Sequence, residues 1–307
     1  MRIAAMAAGA VGGYFGARLA AAGHDVSFIA RGALLEAIRA KGLTVESTLG
    51  DLHIADAKAT PDPKEVGPVD IVLFAVKLWD TEKAAELARP LVGPSTRIIT
   101  LQNGVDSVER LTPILGADKV VGGSAYIASV MKEPGVVSHT SAFARVRCGR
   151  IDGKPDDTLA AFVDAAKRAG IDIAMPASMD VERWHKFVFL VGVSSVTASM
   201  RQPLGAILDD PDTREFFHQV MREVVAVGRA KGVALAADFA DQQLKFALDS
   251  APRSMKASLA HDLDRGNRLE VDWLAGKVAA LGRELGVPTP ANAAVYAMLK
   301  LHRMGRP

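Results

Sequence analysis

A lysine stands at position 186 inside an otherwise apolar run, WHKFVFLVGV. An ammonium group there either snorkels to water along its methylene stem or is partly desolvated. Desolvation lowers its pKa toward the range in which a general acid works. Glu270, in NRLE (267–270), likewise has two readings. Asn267 can open a helix with Glu270 reaching back to its amide, or the carboxylate can serve a site. Asn103, in QNG, is by default a turn residue that tolerates left-handed backbone. It also closes an apolar run, and ligands bind outside the carboxyl ends of strands in open α/β sheets. Ser258 taken alone reads as a surface or cap serine. At the start of the chain, MAAGAVGG (6–13) directly follows the strand-like RIAA. The spacing is that of G-x-G-x-x-G with Ala7 in the first glycine position. Gly9 and Gly12 fill the second and third, which let backbone approach a pyrophosphate and let helix pack on strand. An alanine at the turn costs about 1–2 kcal/mol where φ must be positive and little where it is negative. The predicted cradle is therefore Ala7, Ala8, Gly9, Ala10, Val11 and Gly12, with the anion at the amino end of the following helix. At the end of the next strand FIARG offers Arg31 and no acid. A guanidinium suits a 2′-phosphate, which favours NADP(H) over NAD; the bland alternative is a surface arginine opening a helix.

These residues need elements to hold them. RIAAMA (2–7), DVSFIA (25–30), VDIVLFAV (69–76), TRIITLQ (96–102) and IDIAM (171–175) read as strands, the longer runs as parallel strands covered on both faces. Helical patterns follow at 13–23, 33–42, 80–92 and 156–169. LTVES and LHIADAKA read as an inserted hairpin around Gly50-Asp51, and 119–150 as a β-rich stretch. The alternation predicts an open parallel sheet with right-handed crossovers. After PASMD (176–180) the pattern becomes helical throughout: 181–200, 212–232, 237–250, 270–286 and 291–303. Ser178 is the expected cap of the first of these, and WHKFVFLVGVSSV its buried central stretch. Asp180 and Glu182 read as partners of that helix's dipole. The expected architecture is an α/β Rossmann-type N-terminal domain, residues 1–177, plus an all-α C-terminal domain, residues 178–307.

Composition bounds the partners. With 307 residues and 49% hydrophobic content, the chain can bury two cores. A net charge of +2 without basic blocks predicts no nucleic-acid partner. One cysteine, Cys148, fits a reducing compartment, and the glycines in the apolar start, with Tyr14 and Arg18 after them, argue for a strand, turn and helix over a signal peptide. No apolar run approaches the roughly 20 residues of a membrane helix, so a cytoplasmic protein without membrane contact is expected. The seven histidines, among them His139, His185, His218 and His261, lack metal spacing, and no metal is expected. The apolar helical part is compatible with a homodimer.

The opening 32 residues, with AVKLWD (75–80), LQNGVDS (101–107), RWHKF (183–187), SLAHDLDRGNRLEVDWLAG (258–276) and LGVPTPAN (285–292) in the same order, resemble the ketopantoate reductase (2-dehydropantoate 2-reductase) family over nearly the full length. The resemblance implies an oxidoreductase with its active site between an NADP-binding domain and a helical substrate domain. Carried onto this chain, it makes Lys186 the acid that protonates the carbonyl oxygen and Glu270 the contact to the substrate's hydroxyl end. It places Asn103 at nicotinamide and substrate, Ser258 at the substrate carboxylate, Lys77 in the cofactor cleft and Arg31 on the 2′-phosphate. Two positions depart from the family pattern: asparagines four and eight residues after the lysine are replaced by Leu190 and Ser194. Both share a helix face with Lys186, so the substrate-binding set Ser258, Leu190 and Ser194 makes a drier pocket. The implied reaction is NADPH-dependent reduction of a small 2-oxo acid, first of all 2-dehydropantoate to pantoate in pantothenate biosynthesis. The alternatives are a reductase of the same family acting on a less polar 2-oxo acid and, more remotely, a non-catalytic NADP-sensing protein.

Overall fold

A computed structural model describes residues 1–306. The chain parts into two compact units, Met1–Glu182 and a second that begins at Arg183.

In the first unit, β1 (Arg2–Met6) runs through the glycine loop into α1 (Ala10–Ala21), then β2 (Asp25–Ile29) and α2 (Gly32–Lys41). β3 (Leu43–Ser47), β4 (Leu52–Ile54) and β5 (Lys58–Thr60) precede β6 (Val69–Phe74), α3 (Thr81–Ala88), β7 (Val92–Thr100) and α4 (Ser107–Leu115). β8 (Val120–Glu133), β9 (Val136–Gly149), α5 (Asp157–Arg168) and β10 (Asp172–Ala174) complete it. The strands lie in the order β4-β3-β9-β8-β7-β6-β1-β2-β5, with β10 beside β9. The block β7-β6-β1-β2-β5 is parallel, as the alternating pattern predicts. Alternate residues of its central strands feed opposite cores: Ile3, Ala5, Ile71 and Leu73 pack with α1 and α5, while Ala4, Met6, Val72 and Phe74 pack with α3 and α4.

The sheet as a whole is mixed, which corrects the expectation of an open parallel one. β8 and β9 are joined by Pro134-Gly135 alone, and so short a link permits only an antiparallel pair. The inserted hairpin is also shorter than expected. β3 and β4 pair antiparallel, but Lys58–Thr60 leaves them to run parallel beside β2.

The second unit is helical. α6 (Met179–Ser199) is followed by α7 (Leu204–Asp209), α8 (Pro211–Ala230), α9 (Phe239–Asp249), α10 (Ser258–Arg265), α11 (Ala275–Leu285) and α12 (Pro290–Leu299). Ser178 caps α6 as expected, its Oγ accepting from the Val181 N–H at 3.3 Å. From Trp184 to Val196 the helix buries Trp184, Phe187, Val188 and Val191; Trp184 lies on the bare backbone of Gly228 of α8, and Phe217 and Met221 of α8 crowd that of Gly192. The helix predicted over 270–286 is a short 3-10 turn, Val271–Trp273, followed by α11. α7 and α10 lie outside the predicted helices, being too short for a periodic pattern. α12 begins with Thr289 giving no side-chain cap. The buried carboxylate of Glu223 on α8 replaces it, accepting from the Ala291 and Asn292 N–H groups at 2.8 and 2.9 Å and from Asn292 Nδ2 at 2.8 Å. This accounts for the asparagine of LGVPTPAN by architecture rather than by chemistry.

Candidate active site

The glycine loop leaves the carboxyl end of β1, flanked in the sheet by β2 on one side and β6 and β7 on the other. Gly9 is the N-cap of α1 and makes no side-chain cap bond, and no acid occupies the first turn. The positive end of the helix thus has neither a side-chain cap nor an acid in its first turn to compete with an anion. A Cβ added at Gly9 would meet nothing within 4 Å, whereas one at Gly12 would lie 2.1 Å from the Ala7 carbonyl oxygen. Room for a ligand exists at the second glycine position, and close packing is enforced at the third. The substituted first position is tolerated for a simple reason. Among the described residues Arg201 is the only non-glycine at positive φ, so φ at Ala7 is not positive and its methyl group costs little there. Gly16, one turn beyond Gly12, adds a contact that spacing alone does not reveal: its Cβ would meet Phe28 Cε1 at 2.6 Å. Within the predicted cradle Ala7, Gly9, Ala10 and Val11 are partly exposed. Ala8 turns inward, wholly buried with its N–H on the Ile29 carbonyl at 3.0 Å. The residues present fit a dinucleotide: an uncapped helix start, open space at Gly9 and a basic group one strand away.

That basic group is Arg31, exposed as the N-cap of α2 just past β2. Lys77 and Asn103 stand on the other flank, in the loops after β6 and β7. Lys77 is exposed, with Nζ 5.6 Å from the Trp79 ring centroid, and Asn103 is half-buried. Strand order therefore puts Arg31 on one side of the glycine loop and Lys77 with Asn103 on the other.

In the second unit Lys186 and Leu190 are half-buried, one turn apart on α6. The neighbouring stripe of that helix is covered by α9: His185 stacks on Phe239 at 4.2 Å, and Phe189 meets Phe246 edge-on at 5.4 Å. Ser194, a further turn along, is fully buried and its Oγ has no hydrogen-bond partner. Ser258 is the exposed first residue of α10. Its segment is tied to α6 by the Ala257 N–H on Thr197 Oγ1 at 3.3 Å. Glu270 is 7% exposed, a charge that burial permits only with partners.

Two local expectations need correction. NRLE is not a capping box, because Gly266 (φ 72°) ends α10 in left-handed backbone and Asn267 Nδ2 turns back to Asp262 Oδ1 at 3.0 Å. Helix α11 begins only at Ala275, and Glu270 gives no side-chain cap to the 3-10 turn that follows it. Glu182 is more than a dipole partner: it accepts a 2.7 Å bond from the Tyr126 hydroxyl of β8. Burial and that carboxylate push the phenol's pKa up. The lone thiol, Cys148, is raised to about 12 by burial and offers no nucleophile. Sequence reasoning also passed over Gln102 and Thr81, buried between the β6 and β7 loops; a glutamine closing an apolar strand was the available signal.

A parallel block of strands with an uncapped glycine-loop helix, followed by a helical unit carrying a half-buried lysine, defines a dinucleotide-binding oxidoreductase in class. The family model described as ketopantoate reductase PanE/ApbA matches residues 3–153, and its C-terminal counterpart matches residues 178–303. The 2-dehydropantoate 2-reductase of Mesorhizobium japonicum is 31% identical over 98% of this chain and 97% of its own. An uncharacterized oxidoreductase of Bacillus subtilis, YkpB, is 28% identical over 98% of this chain and 99% of its own. The crystal structure of 2-dehydropantoate 2-reductase from Geobacter metallireducens superposes with a TM-score of 0.91 at 32% identity, covering 98% of this chain and 99% of that one. The chain belongs to the ketopantoate reductase family and is an oxidoreductase. Among the described residues no helix is long and apolar enough to cross a membrane, and no group of three or more His, Cys, Asp or Glu side chains could hold a metal.

Proposed function

We propose that this protein reduces a small 2-oxo acid to the 2-hydroxy acid with NADPH, and that 2-dehydropantoate, giving pantoate for pantothenate biosynthesis, is the first substrate to test. The observation that carries the proposal is Lys186, an ammonium held half-buried on the apolar helix α6. The names of the full-length relatives support the substrate. The first unit would hold the dinucleotide through Ala7, Gly9, Ala10 and Val11, with Arg31 on the 2′-phosphate and Lys77 and Asn103 toward the nicotinamide. Bound there, NADPH supplies the hydride to the carbonyl carbon. Lys186 donates its proton to the carbonyl oxygen as negative charge develops there, which yields the hydroxyl group. Asn103 orients the carbonyl, Ser258 holds the carboxylate and Glu270 fixes the far hydroxyl.

A second reading is a family member that takes a less polar 2-oxo acid. It is favoured by Leu190 and Ser194, since a hydrocarbon and a sealed hydroxyl offer nothing to a substrate hydroxyl. Purified protein is assayed for NADPH oxidation with 2-dehydropantoate, 4-methyl-2-oxopentanoate and phenylpyruvate. Turnover of 2-dehydropantoate above the other two supports the first reading; preference for an apolar acid replaces it with the second.

Arg31→Ala is expected to weaken NADPH about ten- to a hundredfold, the loss of a charge-assisted bond or two, and to leave NADH nearly unchanged. Fluorescence titration with both cofactors reads this directly, and equal weakening of the two removes Arg31 from the 2′-phosphate.

A further inference from the structure

The loops that leave β6 and β7 are joined by a buried polar relay. Gln102, 6% exposed, uses both hydrogens of its amide. Nε2 donates to the Val76 carbonyl at 3.1 Å and to Thr81 Oγ1 at 2.8 Å, while Oε1 accepts from Thr100 Oγ1 at 3.3 Å. Thr81, wholly buried, donates its hydroxyl hydrogen to the Leu78 carbonyl at 2.9 Å. The same carbonyl accepts from Arg110 Nη2 at 2.8 Å, and Arg110 grips Glu82 with two further bonds of 2.6 and 2.8 Å. Lys77 lies between Val76 and Leu78, whose carbonyls are both held, and Asn103 directly follows Gln102.

Strand pairing already fixes where these loops begin: the Ala75 N–H bonds to the Met6 carbonyl and the Leu101 N–H to the Phe74 carbonyl. The relay carries that order past the strand ends, where connecting backbone is ordinarily mobile. A buried polar network is costly unless each member is satisfied, and when satisfied it rigidifies one arrangement. We infer that Gln102 and Thr81 are positioning residues that hold Lys77 and Asn103 in register with each other, so that they govern the rate of hydride transfer rather than the affinity for cofactor. The inference rests on the reading above, in which Asn103 works beside the nicotinamide. A displacement of about 1 Å at such a position can cost on the order of a hundredfold in rate.

Gln102→Met and Thr81→Val remove the donors at nearly constant volume, and Thr81→Ser keeps the hydroxyl. NADPH binding is titrated by its fluorescence, and turnover is followed with the fastest of the three 2-oxo acids above. Each of the first two variants is expected to lose about 10- to 100-fold in kcat while binding NADPH with nearly the wild-type Kd. Each should also lower the fluorescence anisotropy of the bound dihydronicotinamide, which a purely structural role would not move. Thr81→Ser should recover most of the lost rate, and the double variant should be little worse than the worse single one, since both break one relay. Wild-type kcat and anisotropy in both variants, or a loss confined to thermal stability, overturns the inference and leaves the reductase reading standing. A wild-type protein that does not bind NADPH overturns that reading and this inference with it.

Discussion

Lys186→Ala is expected to lower kcat by about 10²–10⁴-fold, the usual contribution of a positioned general acid, with NADPH affinity close to that of the unaltered protein. The argument runs from charge. When hydride reaches a ketone carbon, the oxygen becomes an alkoxide unless a proton arrives with it, and the ammonium of Lys186 is the donor in the proposed reaction. The substitution leaves the scaffold intact, because alanine has the highest helix propensity and the buried neighbours Phe187 and Val188 are untouched. A fall in kcat without a fall in melting temperature is therefore the expected pattern. Lys186→Arg should be almost as slow, since a guanidinium holds its proton too firmly to act as an acid. A kcat within a few-fold of the unaltered protein in both variants removes Lys186 from proton transfer, and with it the proposed mechanism.

The second large effect is expected in the glycine loop, where three alanine substitutions should behave differently. Gly12→Ala places a methyl group 2.1 Å from the Ala7 carbonyl oxygen and 3.5 Å from Ala75 Cβ. Backbone must move, and overpacking of this kind costs about 1–3 kcal/mol or more. Because the displaced backbone is the proposed cradle, the loss should register as roughly 10- to 100-fold weaker NADPH binding along with a lower melting temperature. Gly9→Ala meets no protein atom within 4 Å, so melting should not change, yet the methyl group enters the space proposed for pyrophosphate and affinity should fall. Gly16→Ala drives into the buried ring of Phe28 at 2.6 Å. It should chiefly destabilise the unit, with cofactor affinity largely retained in the folded fraction. Fluorescence titration and thermal melts on the three proteins separate the cases. Unchanged affinity in Gly9→Ala would place the dinucleotide elsewhere.

What could be read in the sequence is what obeys a short period. The parallel strands β1, β2, β6 and β7, the cap at Ser178 and the apolar helix bearing Lys186 are all local patterns, and the structure has them. β5 escaped because three residues, Lys58–Thr60, form a strand only by pairing with β2. The NRLE segment misled because a capping box and a link between helices share composition, and only the left-handed Gly266 decides between them. The long-range polar contacts were out of reach altogether. Glu223 meets Asn292 across 69 residues, and Gln102 meets Thr81 across 21, so no window shows either pair. Among the proposed site residues, types and positions could be read from motifs, while their exposure could not. Ser194 is sealed, Ser258 is open and Ala8 faces inward for reasons of packing.

The first turn of α6 belongs to the unit before it. Met179 packs on the bare backbone of Gly122 and Gly149, and Glu182 holds Tyr126, while the helix from Arg183 onward belongs to the second unit. A chimera that grafts a relative's second unit onto this first unit should therefore be spliced within the helix, between Glu182 and Arg183. Joined there, the cap and its anchoring residues stay with their native partners. Joined before Ser178, the graft brings foreign side chains against two glycines with no space to spare.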